Sequence, residues 1–354
     1  MRTFPALALL ATLAAPGSAA RAAEESPFPP GTSSQRLEGL RCSLVMPAEW
    51  DPAKERSLVV VLHGAGGSET GMAGSLAFLA EREFVVLAPK SVGPTWVKND
   101  LDAVRRIVAD LRKRLRVGPE RLHALGFSNG GWNLAPVAFD EDLRFTSATW
   151  VAAGFTGGSV PKHARRGMGA LALAGEKDPN RDEAERTVDL LQGKVRSVMC
   201  RVQPGKAHEW PDALMPFYGW WLEVQEGRFV PGECLPFDWI EDPAKGPALS
   251  AERRTGALAY LYSKDQAADP VAKALQNEVL LDPLVQRFGR QCVAWRLERG
   301  EAADLLRDQK VAGTPAVVVF DPSGKPVKAL SGKIAPPVLA AALRSVAPDK
   351  SMPK

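Results

Sequence analysis

The chain has 354 residues, 45 Lys+Arg against 41 Asp+Glu, 45% hydrophobic residues, 31 Gly, 29 Pro, four Cys and four His. At about 100–200 residues per domain, this length points to two domains, each able to bury a core. A formal charge of +4 does not suggest a polyanion-binding surface, the cysteines are too few for a disulfide scaffold, and a histidine-dependent mechanism has four candidates to choose from.

Residues 1–22 read as an export signal: Arg2, an apolar run from Phe4 to Ala15, and small residues ending in the A-x-A-type site Ala20-Arg21-Ala22. The run is too short to span a bilayer as a helix, and no other segment approaches the length required. Cleavage after Ala22 removes Arg2 and Arg21 and lowers the formal charge from +4 to +2. The mature protein is therefore expected in the periplasm or outside the cell. A first domain is expected over 28–226, a Pro/Gly-rich linker over 227–253, and a second domain over 254–348.

In chain order, Ser57–Leu62 is an apolar, mostly β-branched run, the pattern of a strand buried on both faces of a parallel sheet. Thr70–Arg82 is helix-compatible, and Phe84–Ala88 reads as a second strand. Asn99 or Asp100 is expected to cap a helix with apolar residues Leu101, Val104, Ile107, Val108, Leu111 and Leu115 at three-to-four spacing. Strands are expected again at Arg121–Leu125, Ala148–Ala153, Leu171–Ala174 and Val195–Val202, separated by helical stretches. Alternating β and α units predict a mainly parallel sheet with helices on both faces. The chemistry of such sheets lies beyond the carboxyl ends of the strands.

Three of those strand ends carry reactive groups. After Leu125 comes Gly126-Phe127-Ser128-Asn129-Gly130-Gly131, a G-x-S-x-G motif between a strand and a helix, which predicts a nucleophile elbow at Ser128. A serine hydroxyl needs a base to take its proton. After Val202 the loop carries His208, and after Ala174 it carries Asp178, with Glu176 as the alternative acid. His123 lies inside a strand, His163 lies among basic residues, and His63 precedes the serine. His208 is therefore the expected base. The Gly-rich loop His63-Gly-Ala-Gly-Gly-Ser68 can aim N–H groups at a developing oxyanion, with donors expected from Ala65 or Gly66 and from Asn129. It lacks the Lys-Ser/Thr of a phosphate-binding loop. Trp132, Trp210, Trp220 and Trp221 lie near these segments and are candidates for an aromatic pocket, as is Trp96. The mechanism needs no metal or organic cofactor, and no two His or Cys show metal-ligand spacing.

These residues, over about Leu58–Leu222, resemble the secreted α/β-hydrolase esterases of the polyhydroxybutyrate depolymerase and feruloyl esterase group. Trp96, Asp100 and Asp102, Val117-Gly-Pro-Glu-Arg121 and the elbow carry the likeness. It implies Ser128 as nucleophile, Asp178 as acid and His208 as base, acting on a small ester, an acylated carbohydrate or a polyester. Ala65 departs from the Cys that many secreted polymer depolymerases carry after His-Gly, which weighs against a polymer substrate. A peptidase using the same three residues is the alternative within this chemistry. Nucleic acid is not an expected partner.

In the second domain, strands are expected at Gly256–Tyr262, Cys292–Leu297, Gly313–Phe320 and Pro326–Leu330, the last two a hairpin around Asp321-Pro-Ser-Gly324. Helices are expected at Ala268–Phe288, Glu301–Val311 and Val338–Val346. This order, with Val311-Ala-Gly-Thr-Pro315 leading into a strand, resembles the thioredoxin fold and implies that Pro315 is its cis-proline. The redox chemistry of that fold needs paired thiols at the start of the first helix, where this chain has Ser263-Lys-Asp-Gln-Ala-Ala-Asp269. Thiol–disulfide exchange is therefore not expected. The alternative function for the whole protein is a non-catalytic periplasmic binding or assembly role, with the surface beside Pro315 as a candidate for a protein partner. Of Cys42, Cys200, Cys234 and Cys292, at least one bridge is expected within the first domain.

Overall fold

The structure, a computed structural model, describes residues 26–51, 53–233, 237–240 and 242–348. The expected export signal, residues 1–22, and Cys234 lie outside the described residues. Eight strands form one sheet: β1 (Gly31–Leu37), β2 (Leu40–Met46), β3 (Arg56–Leu62), β4 (Phe84–Pro89), β5 (Val117–Phe127), β6 (Ser147–Val151), β7 (Gly169–Gly175) and β8 (Ser197–Gln203). Their order is β1-β2-β4-β3-β5-β6-β7-β8. The pairs β1/β2 and β2/β4 are antiparallel, and all others are parallel.

The apolar runs follow from burial on both faces. Every residue of β3, β4 and β7 is buried, and successive side chains serve opposite cores. Leu58, Val60 and Leu62 pack with Leu101, Val104, Ile107, Val108 and Leu111 of the Lys98–Arg114 helix. Val59 and Val61 pack with the Glu69–Leu76 and Met215–Gln225 helices. The Lys98–Arg114 helix begins earlier than its sequence suggests, and Asp100 is not its cap. The Asp100 carboxylate, almost fully buried, reaches back to accept the N–H groups of Val97 (3.3 Å) and Val92 (3.4 Å).

A second sheet contains β9 (Ala257–Tyr262), β10 (Val293–Glu298), β11 (Ala316–Phe320) and β12 (Pro326–Ser331) in the order β10-β9-β11-β12. β9 runs parallel to β10 and antiparallel to β11, and β11 and β12 form the expected hairpin. The Thr314–Pro315 peptide bond is cis. The long helix expected over Ala268–Phe288 is instead broken into Pro270–Ala274, the π-turn Leu275–Val279 and Pro283–Gly289. Pro283 cannot continue the preceding turn, and Asp282 caps the new one by accepting from the N–H groups of Leu284 (2.9 Å) and Val285 (3.3 Å).

Cys42, Cys200 and Cys292 are free thiols, which corrects the bridge expected within the first domain. Cys42 lies on β2 and Cys200 on β8, six strand steps apart in the sheet order. At about 4.8 Å per step their separation far exceeds the roughly 7 Å Cα limit for a disulfide. Burial pushes each of the three thiols up to about 12, which favours the protonated, weakly nucleophilic form. Iodoacetamide at pH 8 is expected to leave them unmodified in the native protein, as read by peptide mass spectrometry. Alkylation of any of the three before unfolding would contradict this.

At the amino end of the sheet, away from the candidate nucleophile, His123 donates from Nε2 to Glu226 (3.1 Å), while its Nδ1 lies 2.8 Å from the Ser147 hydroxyl. Arg228 and Arg121 also face the Glu226 carboxylate, at 3.2 and 3.8 Å. Burial opposes ionisation of Glu226, but the His123 hydrogen bond and the Arg228 charge hold its carboxyl below the ordinary range. His123 is thus a structural residue. Replacing Glu226 by Ala would leave these groups without their anion, at an expected cost of about 3 kcal/mol in urea unfolding, with turnover per folded molecule unchanged.

Candidate active site

Ser128 follows directly on β5 and caps the short Asn129–Trp132 helix, with φ 49° and ψ −115°. A non-glycine residue in the left-handed region costs on the order of 1–3 kcal/mol and is held there by its surroundings. The Ser128 N–H donates to Val151 O (2.8 Å) and its carbonyl accepts from the Trp132 N–H (3.0 Å). Two flanking glycines are required by space. A Cβ on Gly126 would meet Gly130 O at 2.4 Å, and one on Gly130 would meet Leu62 O at 2.2 Å. This strand–elbow–helix unit sits at the carboxyl end of a central strand in a mainly parallel sheet. The fold is that of an α/β-hydrolase.

The Ser128 hydroxyl lies 2.8 Å from His208 Nε2, and His208 Nδ1 lies 3.0 Å from Asp178 Oδ1. A carboxylate only accepts, so Nδ1 carries the proton and Nε2 is left to accept from the serine. The Asp178 side chain is fully buried while that of His208 is 36% exposed. The same Asp178 oxygen accepts the Asn180 N–H (2.8 Å), and its other oxygen is buried without a hydrogen-bond partner among the described residues. The structure thus brings together the three side chains singled out after β5, β7 and β8.

Glu176, the alternative acid, has a different place. Its carboxylate accepts the Gly205 N–H (2.8 Å), while its own N–H donates to Gln203 O (2.9 Å) and the Lys177 N–H donates to Lys206 O (2.7 Å). These bonds join the loop bearing Asp178 to the loop bearing His208.

Of the two glycine-loop donors considered, Gly66 is excluded, because its N–H donates to Pro94 O (2.7 Å). The N–H groups of Ala65 and Asn129 have no partner among the described residues. His63 is buried. Its Nδ1–H donates to Gly64 O (2.7 Å) and its Nε2 accepts the Ser91 N–H (3.1 Å), which fixes the neutral tautomer. Burial lowers its proton affinity below that of an ordinary histidine. It braces the loop and takes no part in proton transfer to Ser128.

The tryptophans divide. Trp210 and Trp132 are half-buried, and Trp210 stands edge-on to Phe127 at 5.7 Å. Phe127 in turn stacks on His208 at 5.8 Å. Phe127 was missed as a site residue; the signal was an aromatic side chain at the first variable position of the elbow motif. Trp220 and Trp221 belong to the apolar core. Trp96 is 4% exposed, with its indole N–H donated to His63 O (2.8 Å), so it supports the site instead of lining a pocket. Among the described residues no cluster of three His, Cys, Asp or Glu side chains is arranged to hold a metal ion, and no helix is long and apolar enough to cross a membrane.

No family model matches the chain. Over 141 residues it is 30% identical to "Putative esterase NocK" of Nocardia uniformis subsp. tsuyamanensis, the match taking in 36% of this chain and 41% of that protein. The chain thus spans about two-fifths of the length of this curated relative. Among solved structures it is similar to TT1662 from Thermus thermophilus (21% identity, 55% of this chain and 97% of that one, TM-score 0.41). It is also similar to a carboxylesterase from Mesorhizobium loti (17% identity, 54% and 98%, TM-score 0.44). A third is the feruloyl esterase module from Clostridium thermocellum, complexed with sinapinate (12% identity, 53% and 84%, TM-score 0.44).

Proposed function

We propose that the protein is an exported serine hydrolase of carboxylic esters that works through an acyl-enzyme on Ser128. The observation that carries this reading is the hydrogen-bonded series Ser128–His208–Asp178, at 2.8 and 3.0 Å, beside the Ala65 and Asn129 N–H groups, which have no partner among the described residues. In the first half-reaction the Ser128 oxygen attacks the ester carbonyl carbon while its proton passes to His208 Nε2. Asp178 holds the imidazole tautomer and balances the imidazolium. The Ala65 and Asn129 N–H groups donate to the carbonyl oxygen as it gains charge, each worth about 2.7–4 kcal/mol by comparison with other enzymes. His208 then gives its proton to the departing alcohol oxygen. In the second half-reaction, water, deprotonated by His208, attacks the acyl carbon and frees Ser128.

Residues 1–22 would direct the chain out of the cytoplasm, and the mature amino terminus would then lie at Ala23. Amino-terminal sequencing of protein from the periplasm or medium tests this, and a start at Met1 there would refute it. For the second unit we propose a thioredoxin-like fold without redox chemistry. The β-α-β-α-β-β-α order and the mixed sheet around β9 support the fold, and the lack of any cysteine between Cys234 and Cys292 supports the loss of redox chemistry.

A panel of p-nitrophenyl, acetyl, feruloyl and hydroxybutyrate esters, with peptide p-nitroanilides beside them, tests the reaction class. Turnover of at least one ester, lost in Ser128→Ala, is expected. Silence across the panel from folded protein, with Ser128 unlabelled by a fluorophosphonate, would overturn the reading in favour of a binding role, and turnover of the anilides alone would favour a peptidase.

A further inference from the structure

The two N–H groups that face the reacting carbonyl oxygen in the proposed reaction belong to separate segments. Ala65 lies beyond the end of β3, and Asn129 lies beyond the end of β5. The ladder between these strands ends at the pair Leu62–Gly126, short of both donors. A hole for an oxyanion works only if its donors keep their spacing to within about 0.5 Å. Something past the end of the sheet must fix it.

Trp96 touches both segments. Its indole N–H donates to His63 O (2.8 Å), on the loop that bears Ala65, and its ring packs against that of His63 at 4.7 Å. Its backbone N–H donates to the side-chain oxygen of Asn129 (3.1 Å). The stretch that carries Trp96 is itself anchored. The Pro94 carbonyl accepts the Gly66 N–H, the Ser91 N–H donates to His63 Nε2, and Asp100 accepts the N–H groups of Val92 and Val97. Trp96 is buried while its neighbours Val92 and Val97 are exposed by 84% and 53%, so the indole is held inward by these bonds on an otherwise open loop.

We propose that Trp96 and the Asn129 side chain are positioning residues that set the spacing of the Ala65 and Asn129 N–H donors. This rests on the serine-hydrolase reading of the site. Neither side chain touches the substrate: Trp96 acts through His63 and its own backbone, and the Asn129 amide acts through Trp96. Both act as one strap, so cutting either end releases the donors from one another. The second cut should then add little.

The test uses the full chain and an ester that it turns over. Trp96→Phe keeps most of the ring but removes the indole donor, and Asn129→Ala removes the acceptor while leaving the backbone N–H. Each is expected to lower kcat by about 10-fold to 100-fold, the scale of a misplaced catalytic group, with KM changed less than about threefold on the same argument. The affinity for an aryl boronate, whose Ser128 adduct carries a tetrahedral anion, should fall by the same factor as kcat/KM. The double variant should be no slower than the slower single variant by more than about twofold, as members of one unit are not additive.

Single-variant losses that multiply in the double variant would overturn the strap. So would an unchanged kcat with a raised KM, or boronate affinity unchanged while kcat falls. Thermal unfolding of each variant identifies any that fails to fold, and the remaining single variant then decides on kcat and boronate binding. A wild-type chain without ester turnover and without fluorophosphonate labelling of Ser128 would remove the hydrolase reading and this inference with it. An active wild type with fast variants would remove the inference alone.

Discussion

Ser128→Ala and His208→Ala are each expected to lower kcat for a good ester substrate by about 10⁶-fold, and Asp178→Asn by about 10⁴-fold, the scale of such losses in other triads. The unequal losses follow from the parts played. Without Ser128 no acyl-enzyme forms, and without His208 the hydroxyl keeps its proton. Without the Asp178 charge the imidazole stays in place but its tautomer is no longer enforced. The double variant Ser128→Ala/His208→Ala should be no slower than either single, because neither residue acts without the other. Steady-state turnover of a p-nitrophenyl ester by purified, folded variants checks all of this. His208→Ala retaining more than a tenth of the wild-type rate would sink the assignment of the base. Glu176→Ala separates the two acids: its carboxylate only ties down Gly205, so its loss should be modest. A larger loss there than in Asp178→Asn would reverse the assignment.

The three side chains of the proposed triad were legible because each lies on the segment that follows a strand of the mainly parallel sheet, where such a sheet concentrates its chemistry. Leu125, Ala174 and Val202 end the strands expected from sequence, and Ser128, Asp178 and His208 follow in the chain order Ser, Asp, His. What surrounds them was less legible. Ala65 and Gly66 look equivalent in sequence, and only the tertiary bond from Gly66 to Pro94 O tells them apart. A tryptophan near a motif reads equally as pocket or core, and Trp96 is core, with its indole N–H turned to the His63 carbonyl, a contact that sequence does not show. β1 escaped notice because it is an edge strand, exposed or half-buried throughout, and its residues Gly-Thr-Ser-Ser-Gln-Arg-Leu carry no apolar alternation. The expected disulfide failed for a related reason. Spacing along the chain says nothing of strand order, and strand order puts Cys42 and Cys200 far apart.

A chain ending at residue 226 is expected to aggregate or to unfold at least 10 °C below the full protein, even though every proposed active-site residue lies before that point. The Met215–Gln225 helix explains why. Nine of its eleven residues are buried, a pattern found where a helix is covered on all sides. One side packs on the large sheet, with Val59, Val61, Leu171 and Leu173 in the same apolar cluster. That cluster continues without a break into Leu258, Tyr260, Leu280, Leu281, Val285 and Phe288 of the second unit. The Pro/Gly-rich stretch between the units is also fastened. Trp220 donates its indole N–H to Glu233 O (2.6 Å), Gln276 donates to Val230 O and Glu233 O (both 3.1 Å), and Asn277 donates to Arg228 O (2.9 Å). Exposing a buried side chain of this size costs about 1.5–3 kcal/mol, and a domain has only about 5–15 kcal/mol in all. Uncovering two or three of Phe217, Trp220 and Trp221 would therefore remove much of the stability that holds Ser128 in its strained conformation. Light scattering, thermal unfolding and ester turnover of the shortened chain measure this directly. A monodisperse 1–226 chain with the full melting temperature and rate would show that the first unit stands alone, and that the change of texture after residue 226 marks a limit of stability as well as a change of sheet.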